Sequence, residues 1–244
     1  MSITVDTRFP GGNGADIEII EDAKCPTVAF AADPHGGPEA LWFNLRISIT
    51  PPVQQLTLVL KHFRNSLGGR HNALDGLRPV IRSSGSDWTR LPAGSLKEYP
   101  DGRADIAWEI AQPGSTVDVA FCYPYGEPEL DALVKETGLT ADIIGLSQGG
   151  RQIVRLSNRY GSVDASTRHP GLYLMCRQHA SETPGAWTLD GFLRAIAAAG
   201  DRAPLVWCVP ISNIDGVVQG DYGKDNFPYD LNRAWGQPDR KSVV

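Results

Sequence analysis

The chain has 244 residues, enough for one large domain or two modest ones. Hydrophobic residues make up 41% and charged residues 21%, the balance of a soluble globular protein, and a formal charge of −5 offers no electrostatic footprint for nucleic acid. No apolar run approaches a membrane span, and Met1-Ser2-Ile3-Thr4-Val5-Asp6 lacks the basic and apolar regions of a signal peptide, so a cytoplasmic setting is expected, with no membrane partner.

The first half reads as β. Gly11-Gly12-Asn13-Gly14 is a short flexible or turn segment. Leu41, Phe43, Leu45, Ile47 and Ile49 alternate with polar residues, as do Leu56, Leu58 and Leu60, then Ile106, Trp108 and Ile110, then Val117, Val119, Phe121 and Tyr123. Period two with one polar face predicts antiparallel strands packed on one side. Pro51-Pro52, Gly68-Gly69, Pro100-Asp101-Gly102 and Pro113-Gly114 are expected as turns between them, giving a β-sandwich over residues 1–125.

The pattern changes after Tyr125. Leu130, Leu133 and Val134 share one face of a helix over 127–137, which Gly138 ends. Strands are expected at 143–146, 151–156 and 171–176. A helix then starts with Thr183 as cap and Pro184 in its first turn, burying Leu189, Phe192, Leu193 and Ile196 and closing at Gly200. Leu205 to Val209 is a further buried strand, and strand–helix–strand implies a parallel crossover. Residues 126–244 are thus expected to form an α/β domain with a mostly parallel sheet and flanking helices. The four cysteines, Cys25, Cys122, Cys176 and Cys208, have no CxxC spacing, and three lie in strand-like runs, which predicts free buried thiols and a reducing compartment.

His179-Ala180-Ser181-Glu182 directly follows the apolar run at 171–176. Imidazole and carboxylate are natural Zn²⁺ ligands, and chemistry in open α/β sheets sits beyond the carboxyl ends of such strands. The other reading of this pair is a loop His and a Glu placed favourably at a helix start. Gly145-Leu146-Ser147-Gln148-Gly149 also fits the GxSxG nucleophile elbow, a serine-hydrolase reading that would need Ser147 on a strand-to-helix turn with His179 as base.

Arg177 to Trp187 resembles the first zinc-ligand segment of M14 metallocarboxypeptidases, specifically the cytosolic carboxypeptidase-like branch. Val209 to Val217, Gly220-Asp221-Tyr222 and Asp230-Leu231-Asn232-Arg233-Ala234-Trp235 are similar to that family's later segments, in order and in spacing. Trp42 to Arg46 and Ala120 to Tyr125 resemble more loosely the β-rich domain that precedes the catalytic domain. The resemblance implies a zinc carboxypeptidase removing C-terminal residues, glutamate among the candidates, from peptide or protein C-termini. It implies His179 and Glu182 as zinc ligands, Asp230 behind His179, and Asn232 with Arg233 on the substrate carboxylate.

Two departures accompany the matches. The family's arginine after the Tyr of its GNY segment is replaced by Gly223, with Lys224 the nearest cation. The family's third zinc ligand, a His, and its general base, a Glu, fall downstream of the last matching block and are not expected within these 244 residues. His169, the other histidine of the second half, precedes the 171–176 strand and is expected at its opposite end, away from the site. The rival reading is therefore a remnant that binds zinc or peptide without turnover, with self-association expected through an exposed sheet edge.

Overall fold

The computed structural model of the chain describes residues 1–22, 24–37, 40–62, 76–159, 171–223, 230 and 232. The Gly68-Gly69 turn, His71 and His169 lie outside them.

Strands β1 (Ser2–Asp6), β2 (Ala15–Ile20), β3 (Thr27–Ala31), β4 (Asn44–Leu60), β5 (Val80–Ser83), β6 (Thr89–Arg90), β7 (Ser95–Glu98) and β8 (Ala104–Ala120) form one eight-stranded sheet around the antiparallel β4–β8 pair. The expected turns at Pro51-Pro52 and Pro113-Gly114 are not turns, because β4 and β8 run straight through them. On its outer side β4 pairs with β1 at residues 46–50 and with β3 at 57–60. Similarly, β8 pairs with β7 at 104–107 and with β5 at 117–120. The prolines fall in the gaps between partners, where their missing N–H costs no ladder bond. The β4–β8 register shifts at this level, around Val53 opposite Gly114. Each long strand therefore bends and serves two half-sheets. Phe30 of one half meets Phe43, beside the start of β4, edge-on at 5.2 Å. Leu45, Ile47, Leu56, Leu58, Ile106 and Val119 lie fully buried between the halves, as the alternation predicts.

A polar cross-strand cluster sits on the opposite face of β8. Asp118 accepts from Arg46 Nε at 2.6 Å and from Arg82 NH2 at 2.8 Å. Burial pushes the Asp118 carboxyl up, but the two guanidiniums outweigh it and hold it below the ordinary carboxylate range. A depressed folded-state value stabilises the fold above the unfolded Asp range and is lost as pH falls through the folded value. The thermal midpoint should therefore drop on acidification below about pH 4, and Asp118→Asn should flatten that drop; an unchanged pH profile in the variant would remove Asp118 from the account.

The remaining elements are α1 (Glu127–Thr137), β9 (Thr140–Leu146), β10 (Gln152–Ser157), β11 (Gly171–Met175), α2 (Thr183–Ala199), β12 (Leu205–Val209) and α3 (Ile214–Gln219). α1 matches its sequence signals. Glu129 reaches back to the Gly126 N–H at 2.8 Å, and Gly138 takes the left-handed conformation at φ 67° that ends the helix. The sheet order is β11-β12-β10-β9. The expectation of a mostly parallel sheet fails for the described residues: only β11–β12 is parallel, while β12–β10 and β10–β9 are antiparallel. The tight turn at 147–151 can only return the chain antiparallel, whereas α2 supplies the crossover that a parallel pair needs.

Two further expectations need correction. Thr183 does not cap α2; Glu182 holds that position, and the Thr183 hydroxyl is buried with no hydrogen-bond partner among the described residues. Phe192 is exposed, although Leu193 and Ile196 face the second core with Leu133, Leu156, Val206 and Cys208. The cysteines are free, but only Cys208 is fully buried. Among the described residues β11 is an edge strand, with Leu172 and Tyr173 exposed, and no helix is long and apolar enough to cross a membrane.

Candidate metal centre

The chain leaves the carboxyl end of β11 under close backbone control. Cys176 O accepts from Ser212 N at 3.0 Å and Ser212 Oγ at 2.8 Å, Arg177 O from Asn213 N at 3.0 Å, and Gln178 O from Asn213 Nδ2 at 3.3 Å. Arg177 turns the chain with φ 60°, a conformation that L-residues seldom adopt. Its guanidinium then folds back, donating to Ala180 O from Nε at 2.7 Å and again from NH2, and to Tyr125 O at 2.5 Å. Arg177 is 4% exposed, and the acceptors named for it are carbonyls. Burial pulls its pKa down to about 10, so it remains charged at neutral pH.

This turn brings His179 and Glu182 together, Nδ1 to Oε1 at 2.8 Å. The other ring nitrogen, Nε2, lies 3.0 Å from Asp230 Oδ1, and both His179 and Asp230 are buried. The pair is therefore not simply a loop His beside a helix-start Glu. Glu182 makes no side-chain bond to the helix it precedes; its carboxylate goes to His179. With Asp230 accepting a hydrogen bond from Nε2–H, the Nδ1 lone pair would face the Glu182 carboxylate. Two such groups in contact call for positive charge between them, either a second proton or a metal ion.

The residues present fit two corners of a metal site: two donors from one turn, with a buried carboxylate orienting the imidazole from behind. Among the described residues no group of three or more His, Cys, Asp or Glu side chains could hold a metal ion. A cavity of about 420 Å³ opens over the pair, lined by Cys176, Gln178, Pro184 and Asn232 as well as His179 and Glu182. Asn232 donates its backbone N–H to Asp230 Oδ1 at 2.8 Å, which ties the expected carboxylate-binding residue to the carboxylate behind His179. Arg233 and Lys224 lie outside the described residues.

Gly223 has a steric reason. A Cβ there would stand 2.2 Å from Ala180 N, with φ at +90°. The backbone at 223 lies against the His179–Glu182 turn, so no side chain can enter from that position. The serine-hydrolase reading fails. Ser147 sits on the hairpin between β9 and β10, not on a strand-to-helix turn, and its hydroxyl donates to Asp215 at 2.8 Å. Arg151 and the Gly149 N–H also bond Asp215, and together with Ser147 they outweigh burial and hold its carboxyl below the ordinary range.

Sequence reasoning gave no role to Arg177, Asn213 or Tyr125, which shape the turn. The available signal for Arg177 was a cation placed between an apolar strand and the His179–Glu182 pair. For Asn213 and Tyr125 the bonds run between residues tens of positions apart, and no local pattern announces them.

In this arrangement the end of a strand presents a His–Glu pair backed by a buried carboxylate. Residues 5–122 match the family model of the cytosolic carboxypeptidase N-terminal domain, and the chain is similar in sequence to cytosolic carboxypeptidases. It is 25% identical over 256 residues to cytosolic carboxypeptidase 6 of Mus musculus, covering 97% of this chain and 47% of that protein. With the Homo sapiens protein of the same name the identity is 25% over 218 residues, covering 81% and 43%. The chain thus spans under half the length of these relatives. Its fold is similar to a metallo-carboxypeptidase from Burkholderia cenocepacia, with TM-score 0.75, 18% identity, and coverage of 98% of this chain and 63% of that one. It also resembles the metallo-carboxypeptidase from Pseudomonas aeruginosa, at TM-score 0.71, 23% identity, and coverage of 96% and 62%.

Proposed function

We propose that this chain forms part of a zinc metallocarboxypeptidase that removes C-terminal residues, glutamate among them, from peptides or proteins in the cytoplasm. In this reading residues 1–125 are a β-sandwich and 126–244 the zinc-binding α/β domain. The observation that carries it is His179 at the end of β11, facing Glu182 through Nδ1 and the buried Asp230 through Nε2. His179 and Glu182 would hold the zinc, which when bound supplies Lewis-acid activation of water and of the scissile carbonyl. Asp230 keeps the imidazole in one tautomer and orientation and increases its basicity. Asn232 and Arg233 would receive the peptide's terminal carboxylate, because a desolvated anion must be met by charge-assisted hydrogen bonds, and Lys224 would supply the positive charge that the family's carbonyl-polarising arginine provides.

Two protein ligands are one fewer than hydrolytic zinc sites use, and a positioned base is also required. A second reading for the 244-residue polypeptide itself is that it binds zinc or peptide with little turnover. The deciding assay is release of C-terminal amino acids, including from glutamate-ended peptides, by the zinc-loaded polypeptide with and without chelator. Zinc uptake with very weak hydrolysis is the expected result. Rapid, chelator-sensitive release would mean that a further ligand and a base are supplied to this site, and no zinc uptake at all would overturn the metal reading.

A further inference from the structure

The glycine-rich segment near the N-terminus is neither exposed nor a free linker. Gly12 and Asn13 are buried, and both meet the end of α3. Gly11 N donates to Val218 O at 2.9 Å, and Asn13 Nδ2 donates to Gly220 O at 2.8 Å. A Cβ on Gly220 would stand 2.1 Å from Gly12 O, so here backbone packs directly on backbone. Asn13 is anchored in the β-sheet body. Its backbone exchanges hydrogen bonds with Asn44 at 2.8 and 2.9 Å, its Oδ1 accepts from Asp33 N at 2.8 Å, and its Nδ2 also donates to Asp33 O at 2.9 Å. Trp42 Nε1 and Asn44 Nδ2 hold Gly11 O from behind.

The other side of α3 is the seat of the metal turn. At its start Asn213 catches the carbonyls of Arg177 and Gln178. In its first turn Asp215 is gripped by the β9–β10 hairpin through Ser147, Gly149 and Arg151. At its middle Gly216 lies against Ala180, so closely that a Cβ there would be 2.9 Å from the Ala180 Cβ. Just beyond its end Tyr222 O accepts the Ser181 N–H at 3.0 Å. The two residues flanking Ser181 and Ala180 in this turn are His179 and Glu182. Six residues of helix thus separate a buried asparagine of the β-body from the two expected zinc ligands, and every step is a short hydrogen bond or a backbone contact.

We infer that Asn13 is a positioning residue for the metal centre: its bond to Gly220 O fixes the end of α3 and, through Tyr222 and Ala180, the spacing of His179 and Glu182. Its metal-affinity consequence rests on the zinc reading above; the positioning itself does not. A hydrogen-bonded residue one shell behind the ligands typically changes metal affinity by about 10- to 100-fold, and a residue acting through a helix belongs at the lower end, about tenfold. Asn13→Asp keeps the acceptor toward Asp33 N but replaces the donor toward Gly220 O with an anion. Asn13→Ser is milder and withdraws the reach to Gly220.

The experiment compares both variants with the wild-type 244-residue chain and with Ile106→Val, which opens a small cavity in the β-core away from α3. Zinc affinity is measured by competition with a chromogenic chelator well below the unfolding temperature. Amide hydrogen exchange is followed at Ser181 and Val217 in the metal-free chain. The Asn13 variants should lose about tenfold in affinity and exchange faster at both amides. Ile106→Val should leave both readouts unchanged while lowering the thermal midpoint. Asn13 variants with wild-type exchange at Ser181 would overturn the inference, as would equal losses in Ile106→Val, which would mean that general destabilisation is enough. If the wild-type chain takes up no zinc the metal reading falls, while Ser181 exchange still decides whether Asn13 positions the turn. Should Asn13→Asp fail to fold, Asn13→Ser carries the same comparison.

Discussion

Replacing His179 by Ala should abolish zinc uptake by the chain, while Asp230→Asn should weaken it by about 10- to 100-fold. The difference follows from the two nitrogens. Nδ1 faces Glu182 and would be the donor to the metal; removing the ring would leave one monodentate carboxylate on a half-exposed side chain, too little to compete with water. Asp230 meets the ring at Nε2, on the side away from Glu182, so its amide variant still leaves both donors in place but loosens the ring's orientation and lowers its basicity. Glu182→Gln should fall between the two, keeping an oxygen while losing the charge. The measurement is metal stoichiometry and affinity on chelator-stripped protein reloaded with zinc, with circular dichroism confirming the fold. Equal stoichiometry in wild type and His179→Ala would remove this pair from consideration as the metal centre.

The second large effect is expected at Arg177. Arg177→Ala should destabilise the fold by about 2–4 kcal/mol. Two buried carbonyls, Ala180 O and Tyr125 O, lose their donors, at about 1–3 kcal/mol each. Part of that loss is offset, because a buried charge hydrogen-bonded to carbonyls also leaves the interior. Arg177→Lys tests geometry separately from charge. An ammonium cannot span both carbonyls as the planar fork does, so it should recover part of the stability and little of the zinc affinity. Urea unfolding provides the free energy. A loss below about 1 kcal/mol for Arg177→Ala would show that the backbone bonds from Ser212 and Asn213 hold the turn unaided.

The two predictions separate kinds of residue that the sequence reveals very differently. The His179–Glu182 pair is legible because its chemistry is local: three residues apart, after a short apolar strand, with a helix start behind. The strand alternations at 43–49, 56–60, 106–110 and 117–121 are equally legible, since burial on one face of a sheet imposes period two whatever else the chain does. So are α1 with its Gly138 terminus and the β11–α2–β12 crossover, because capping and helical periodicity act within a few residues.

What the sequence by itself determined is therefore the alternating core strands, α1, the β11–α2–β12 crossover and the His179–Glu182 turn at a strand end. Only the tertiary structure decided how the partners divide. Pro51 and Pro113 look like strand breakers, yet their effect depends on whether a neighbouring strand needs that N–H, and the placement of β1, β3, β5 and β7 is non-local. The mixed direction of the second sheet likewise depends on where β10 docks against β12. The same holds for the asparagine in a glycine-rich stretch, which reads locally as a loose turn. Its amide meets Gly220 across 207 positions of chain, and only folding reveals that the looseness of glycine is used there for close backbone contact.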